Sequence, residues 1–240
     1  MAFLHLEGRD LLVLPLSATC GYVDAVALRQ LGAFVSFMSG NTTSTGIGLA
    51  LQRPATFLPA GVAIFGFVTG ATLGGVLHGK GEPGAQRVLL LAIGVLLLAQ
   101  MALAHTPFDS ANGEILILAL AMGALNTAVS RLGRQKLSIG FVTGTLYAMS
   151  EHLALALQRR RLADSSAMWD TPAYRALLLF LVWVAFLGGA VGGAVATEYV
   201  PTGALLLPLA FVMVLAIAVG TMSESTPARP AASPVASTRG

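Results

Sequence analysis

Charged side chains are scarce in this chain: 14 basic and 11 acidic residues make up 10% of its 240 positions. A water-soluble domain carries about 25%, so the chain cannot cover a water-facing surface. One cysteine, Cys20, excludes an internal disulfide and leaves the redox compartment open. The net charge of +3 supplies no patch for nucleic acid, because the basic residues lie between apolar runs, where they act as topology signals. No Walker loop, zinc-ligand spacing or nucleophile elbow occurs. Neither an enzyme nor a cofactor is therefore expected, and an intramembrane enzyme ranks third among the readings below.

What the chain does have is apolar length. Hydrophobic residues make up 55% of it and the mean hydropathy is +0.78. Hydrocarbon requires every backbone group to be satisfied within the spanning structure. Runs such as Val88–Ala104 are apolar on all sides rather than alternating, which excludes a β-barrel. The fold class is therefore an all-α polytopic membrane protein. Its apolar segments are 11–31, 37–52, 57–78, 88–105, 114–130, 138–157, 173–197 and 203–220. The first is a retained span rather than a signal peptide, since Glu7 and Asp10 spoil a basic leading region and the apolar character continues past Cys20. Residues 1–222 form one transmembrane domain. The Ser-, Thr-, Pro- and Ala-rich stretch 223–240 cannot bury a core and is expected to be disordered.

Segment 37–52 is short, and 138–157 reaches full length only by including Glu151 and His152. The distribution of Lys and Arg decides how they run. With all eight segments crossing, the 14 basic residues divide 8 against 6. With 37–52 and 138–157 entering and leaving by one side, only Arg29 and Arg53 lie outside and the division becomes 12 against 2. Six crossing helices plus two short broken or re-entrant ones, with both termini in the cytoplasm, satisfy the positive-inside rule.

Polar residues inside such segments are functional-site candidates by default, and here they occur twice. Gly21–Tyr22–Val23–Asp24 followed by Phe37–Met38–Ser39–Gly40–Asn41–Thr42 is echoed by Gly123–Ala124–Leu125–Asn126 followed by Phe141–Val142–Thr143–Gly144–Thr145–Leu146. Asp24 falls opposite Asn126, and Ser39–Gly40–Asn41 opposite Thr143–Gly144–Thr145. Gly70–Ala71–Thr72–Leu73–Gly74–Gly75 likewise resembles Gly188–Gly189–Ala190–Val191–Gly192–Gly193, position by position. Three crossings and one short segment per half give two inverted-topology repeats, about 11–105 and 114–220, an architecture common among secondary transporters.

Asp24 lies about thirteen residues into the first span, roughly 20 Å deep at 1.5 Å per residue. It is a candidate for taking up a proton or binding a cation, with Asn126, Ser39 or Thr143 as partners; the structural alternative is that it caps neighbouring backbone. Ser39, Gly40, Asn41 and Thr42, with Thr143, Gly144 and Thr145, combine helix-breaking glycine with small hydrogen-bonding groups. Helices starting there would aim free N–H groups at an anion or carboxylate; the alternative is that the hydroxyls bond back to the preceding turn. The two segments are expected to break at Gly40 and Gly144 and to meet near the bilayer midplane. Glu151–His152 is a weaker candidate, for a proton relay.

Taken together, Gly21–Tyr22–Val23–Asp24–Ala25, Phe37–Met38–Ser39–Gly40–Asn41, Ala121–Met122–Gly123 with Asn126, and Thr143–Gly144–Thr145–Leu146 resemble the YoaK family, over nearly the whole chain to about residue 220. The resemblance implies a small bacterial inner-membrane protein of about six spans and unassigned function. The family pattern favours Thr where this chain has Ser39, and Gln where it has Leu125. The leading expectation is a permease for a small polar or anionic solute, with a proton as candidate coupling ion and a cavity lined by Asp24, Asn41, Asn126 and Thr145. The alternative is a non-transporting assembly or sensory protein whose polar motifs only pack helices. The expected partners are the bilayer and the solute, with no nucleic acid and the oligomeric state open.

Overall fold

The computed structural model describes residues 8–79, 84–104, 106, 110–130, 142–160, 162 and 170–224. The helices are α1 (Gly8–Leu31), α2 (Met38–Ala50), α3 (Pro54–Gly79), α4 (Ala85–Leu103), α5 (Ala111–Ser130), α6 (Val142–Leu157), α7 (Pro172–Tyr199) and α8 (Leu206–Glu224), the last preceded by a 3-10 turn at Pro201–Gly203. All eight apolar segments of the sequence reappear as helices, and among the described residues there is no strand. Of the stretch 223–240, expected to be disordered, residues 223–224 end α8 and 225–240 lie outside the described residues, as does most of the connection 161–169.

Five helical stretches are long and apolar enough to cross a membrane: Pro54–Leu77, Ala85–Leu103, Ala111–Ala128, Pro172–Tyr199 and Pro201–Val219. α1 is as long, at 24 residues, but carries Asp24 and Arg29 and packs lengthwise on α7. α2 has 13 residues and α6 has 16, about 20 and 24 Å at 1.5 Å per residue, short of a core of about 30 Å. This is a multi-pass helical membrane protein with two short helices among long ones. Phe65, Val95 and Val214 are each more than 60% exposed. Such apolar exposure would be a liability in water, and hydrocarbon is the medium that suits it.

Local chemistry sets the helix ends. Gly32, at φ +74°, closes α1 by donating its N–H to Leu28 O at 3.1 Å, a conformation that favours glycine. Proline opens both α3 and α7, where a missing N–H costs nothing. The two short helices end alike. Gln52 (φ 52°) and Arg159 (φ 54°) take the left-handed conformation, and the next N–H reaches back, Arg53 to Gly48 O at 2.8 Å and Arg160 to Leu155 O at 3.0 Å. Both are Schellman caps.

α1 packs along α7 and α3 along α5; α2 lies on α3 and α6 on α7; α4 joins α5 and α8. The core between them holds Leu16, Leu89, Leu90, Ile93, Leu97, Ile115, Leu118 and Leu125, all nearly inaccessible. The two long crossings are made by backbone touching backbone. A Cβ added at Gly189 would overlap the Ala18 carbonyl oxygen, and one at Gly193 the Tyr22 carbonyl oxygen. On the other side of the molecule, a Cβ at Gly70 would overlap the Leu120 carbonyl oxygen, while Gly74 faces Ala124 and Thr127. Gly21 meets Phe186 O and Gly123 meets Phe67 O in the same way. Small residues permit this closeness where apolar helices have no hydrophobic force to join them. The sequence paired Gly70 with Gly188; in three dimensions Gly70 matches Gly189 and Gly74 matches Gly193. Gly75 and Gly188 have nothing near them. Runs of glycine align equally well one residue out of register, and only the facing helix distinguishes the alignments.

Candidate functional site

After α1 the chain turns back on itself. Leu31 ends the helix, yet Val35 and Ser36 lie beside Asp24, two turns earlier. Asp24 Oδ1 accepts the N–H of Val35 at 2.8 Å and of Ser36 at 2.7 Å, and Oδ2 accepts the Ser36 hydroxyl at 2.6 Å. Seven residues of helix separate Asp24 from Leu31, about 10 Å of rise, so the stretch 33–37 dips inward along α1 before α2 starts. Non-helical backbone at such depth must be buried in protein and hydrogen-bonded there. Asn41 completes the arrangement from the first turns of α2: its Nδ2 donates to Phe34 O at 2.7 Å and its Oδ1 accepts Phe34 N–H at 3.3 Å. Asp24 is 4% exposed and Asn41 1%. The two side chains act as a clamp on the dipping segment.

The partners of Asp24 therefore differ from those expected. The nearest acceptors and donors belong to Val35 and Ser36 rather than to Ser39, Asn126 or Thr143, because the chain reversal at Gly32 brings the following residues back onto α1. The Oδ2–Ser36 contact works with either charge state: the hydroxyl donates to a carboxylate and accepts from a protonated acid.

Gly40 does not break a helix. It lies in the first turn of α2, where a Cβ would collide with the Phe37 ring, and that ring packs edge-on to Phe34 with centroids 5.1 Å apart. Ser39 and Thr42 are exposed. The hydroxyls of Thr42, Thr43 and Thr45 bond back to Met38 O, Ser39 O and Asn41 O at 2.8–3.1 Å, the local pattern of hydroxyls inside helices. In α6, Thr143 is exposed, Gly144 half-buried and Thr145 buried, repeating the order of Ser39, Gly40 and Asn41. Asn126 sits half-buried near the end of α5. The two short helices were expected to meet at the midplane. Instead each packs on the long helix that follows it, α2 on α3 and α6 on α7. Phe141 lies outside the described residues.

Residues 12–218 match the family described as a protein of unknown function (DUF1275). The chain belongs to this family. A DUF1275 relative is the UPF0700 transmembrane protein YoaK of Bacillus subtilis (strain 168), 27% identical over 152 residues, covering 61% of this chain and 68% of that protein. Another is the UPF0700 transmembrane protein RA0705 of Rhizobium meliloti (strain 1021), 27% identical over 199 residues, covering 82% of this chain and 80% of the relative. No solved structure matches this DUF1275 chain. The resemblance to YoaK drawn from the motifs is thereby shown.

Two concavities of this DUF1275 protein lie away from the motif. One, of about 730 Å³, is an apolar groove of α1, α7 and α8 lined by Tyr22, Gly189 and Phe211 among others. The other, of about 290 Å³, has a mixed lining and lies where α1 and α4 end and α5 and α8 begin, with Gln30, Gln100, Glu114 and Thr202 among apolar neighbours such as Leu31 and Leu205. Neither is lined by Asp24, Asn41, Asn126 or Thr145, the set expected around a cavity. Gln100 was missed in the sequence, though a lone amide inside the apolar run 88–105 is the signal that marked Asp24.

Proposed function

We propose that the protein is a secondary transporter of the bacterial inner membrane for a small polar or anionic solute, built from two inverted repeats of α1–α4 and α5–α8. The observation carrying this reading is the matched pair of crossings. Adding 102 to the contact residues of α1 gives those of α5, and adding 119 to those of α3 gives those of α7. Each half lays its first helix against the third helix of the other, and each short helix against the third helix of its own half. A two-fold relation of this kind supports rocking of one half against the other. The re-entrant segment clamped by Asp24 and Asn41 is irregular backbone of the sort that lines transport paths, and Asp24 is the group able to carry a coupling proton there.

The six-crossing topology with cytoplasmic termini fits the same frame, because Gln30, Ala104, Glu114 and Pro201, all assigned to the outer side, gather around one pocket. Cysteine scanning in a Cys20→Ser background tests it. Membrane-impermeant reagent added outside should label cysteines at positions 106 and 202 and leave Arg134→Cys untouched. External labelling of Arg134→Cys would overturn the topology.

A second reading is favoured by the hydrogen bonds of Asp24 and Asn41, which fasten the segment 33–37: the motif would then only lock helices in an assembly or sensory protein. Reconstitution separates the two. Proteoliposomes with an imposed pH gradient and an internal pH dye, challenged with a panel of small polar and charged solutes, should show solute-dependent proton movement that Asp24→Asn abolishes. If no solute moves in either protein, the locking function stands.

A further inference from the structure

Past their glycine crossing, α1 and α7 run on side by side to the end of the molecule where α8 begins, and there polar side chains fasten one to the other. The last of the glycine contacts in this crossing is Gly193 on the Tyr22 carbonyl. Arg29 stands seven residues beyond Tyr22 and Glu198 five beyond Gly193, about 10 and 8 Å farther along their helices. Arg29 Nη2 forms an ion pair with Glu198 Oε2, and Arg29 Nη1 donates to Ala194 O at 3.5 Å. The neighbouring Gln30 Nε2 donates to Pro201 O at 2.8 Å. Two consecutive side chains of α1 thus hold the last turns of α7 and the corner leading into α8. The cation also lies near the negative end of the α7 dipole.

Each of these bonds joins one half to the other, since α1 belongs to the first and residues 194–201 to the second. The register between the halves does not repeat them. Adding 102 carries Arg29 to Arg131 and Gln30 to Leu132; subtracting 119 carries Glu198 to Gly79 and Ala194 to Gly75. The second copy keeps the arginine and has a glycine where the acid stands. On the six-crossing topology that copy faces the cytoplasm, so at this register the charge pair belongs to the outer side alone. Its side chains are 47% and 59% exposed, and exposed ion pairs add little to global stability. Such a pair is too weak to decide whether the chain folds, but it can bias two arrangements of nearly equal energy. Backbone in contact at Gly189 and Gly193 leaves tilting about the crossing as the motion that opens the ends without parting the helices.

We propose that Arg29 and Glu198, with Gln30 on Pro201, form an extracellular latch that holds the outer ends of α1 and α7 together and must release before the protein opens outward. The latch rests on the transporter reading, with two halves that rock. In that frame α1 tilts against α7 about the glycine crossing, so the outer ends part as the inner ends approach. Breaking the charge pair favours the outward-open arrangement and leaves the fold intact.

The test is double electron–electron resonance on the full-length Cys20→Ser protein in liposomes, with spin labels on introduced cysteines. Leu28→Cys with Tyr199→Cys, both exposed positions, reads the outer ends. Leu14→Cys with Leu177→Cys, one half-buried and one exposed, reads the inner ends. The outer distance should be short in most native molecules, with a minor longer component. Glu198→Gln should raise that component about two- to fivefold, the range that loss of an exposed ion pair allows, and shorten the inner distance in the same fraction of molecules. Arg29→Glu combined with Glu198→Arg should return both distributions toward the native ones. Raising the salt concentration should act on the native protein as Glu198→Gln does and change the variant no further, since exposed charges are screened. Unchanged outer distances in Glu198→Gln and at high salt would overturn the latch. So would an outer distance that lengthens while the inner one stays, because that is fraying at the end of α1 rather than tilting. Neither measurement involves a solute, so the latch and the flux assay fail separately: proton movement that depends on Asp24, found beside unchanged distances, removes the latch alone.

Discussion

Alanine at Gly189 or at Gly70 is expected to lower the melting temperature of the detergent-solubilised protein by roughly 2–12 °C, while alanine at Gly188 or Gly75 changes it little or raises it. The contrast rests on geometry alone. A Cβ at Gly189 overlaps the Ala18 carbonyl oxygen, and one at Gly70 overlaps the Leu120 carbonyl oxygen. Both obstacles are backbone, which cannot swing aside as a flexible side chain would. The helices must separate, and every contact along α1–α7 or α3–α5 is loosened with them. Overpacking of this kind costs about 1–3 kcal/mol, and for a chain of this size each kcal/mol corresponds to about 2–4 °C. Gly75 and Gly188 have no neighbour within reach of a new methyl group, and glycine inside a helix is less favourable than alanine by about 0.5–1 kcal/mol. Gly21→Ala and Gly123→Ala should match one another for the same reason, since each meets a phenylalanine carbonyl. Equal losses at Gly188 and Gly189 would remove the glycine contacts as the basis of the crossings, and with them the residue-for-residue relation between the halves.

That relation was partly legible in the sequence. Apolar length announced the helices, whereas the end signals of Gly32, Pro54 and Pro172 went unread. The likeness of Asp24 to Asn126 and of Asn41 to Thr145 was readable as well, and Asn41 and Thr145 are buried alike. The register of the glycines was not, because Gly188–Gly189 and Gly74–Gly75 offer two equivalent alignments until a facing backbone selects one. Nor was the partnership of Asp24. Ser36 sits just before the motif, and nothing local signals that the chain reverses at Gly32 and returns two turns along α1. The exposure of Ser39 and Thr42 has a similar cause: helical geometry turns successive residues to different faces, so adjacent polar residues cannot all reach one site. Gln100 was missed, and its meeting with Glu114 depends on α4 packing against α5.

Asp24→Ala is expected to destabilise the protein by about 3 kcal/mol or more, and Asp24→Asn by only about 1 kcal/mol. The carboxylate satisfies the Val35 and Ser36 N–H groups and the Ser36 hydroxyl. Alanine leaves all of them buried without a partner; a backbone group stranded in hydrocarbon costs several kcal/mol, reduced here by whatever water follows the truncated side chain inward. Asparagine keeps an oxygen for the two N–H groups, and its Nδ2 can donate to Ser36 Oγ once the hydroxyl turns, so what is lost is mainly the extra strength of bonds to a charged acceptor. Asn126, opposite Asp24 in the second half, carries the same acceptor oxygen without the charge. Thermal unfolding gives the two stabilities, and hydrogen exchange at the Val35 and Ser36 amides reads the clamp directly: fast in Asp24→Ala, slow in the native protein and in Asp24→Asn. A native-like Asp24→Ala with both amides still protected would mean that the segment 33–37 is held by its own packing, leaving the buried carboxylate free for proton chemistry alone. The expected order instead makes Asp24→Asn a stable protein without the charge, the form in which a pH-driven flux assay measures the carboxylate apart from the fold.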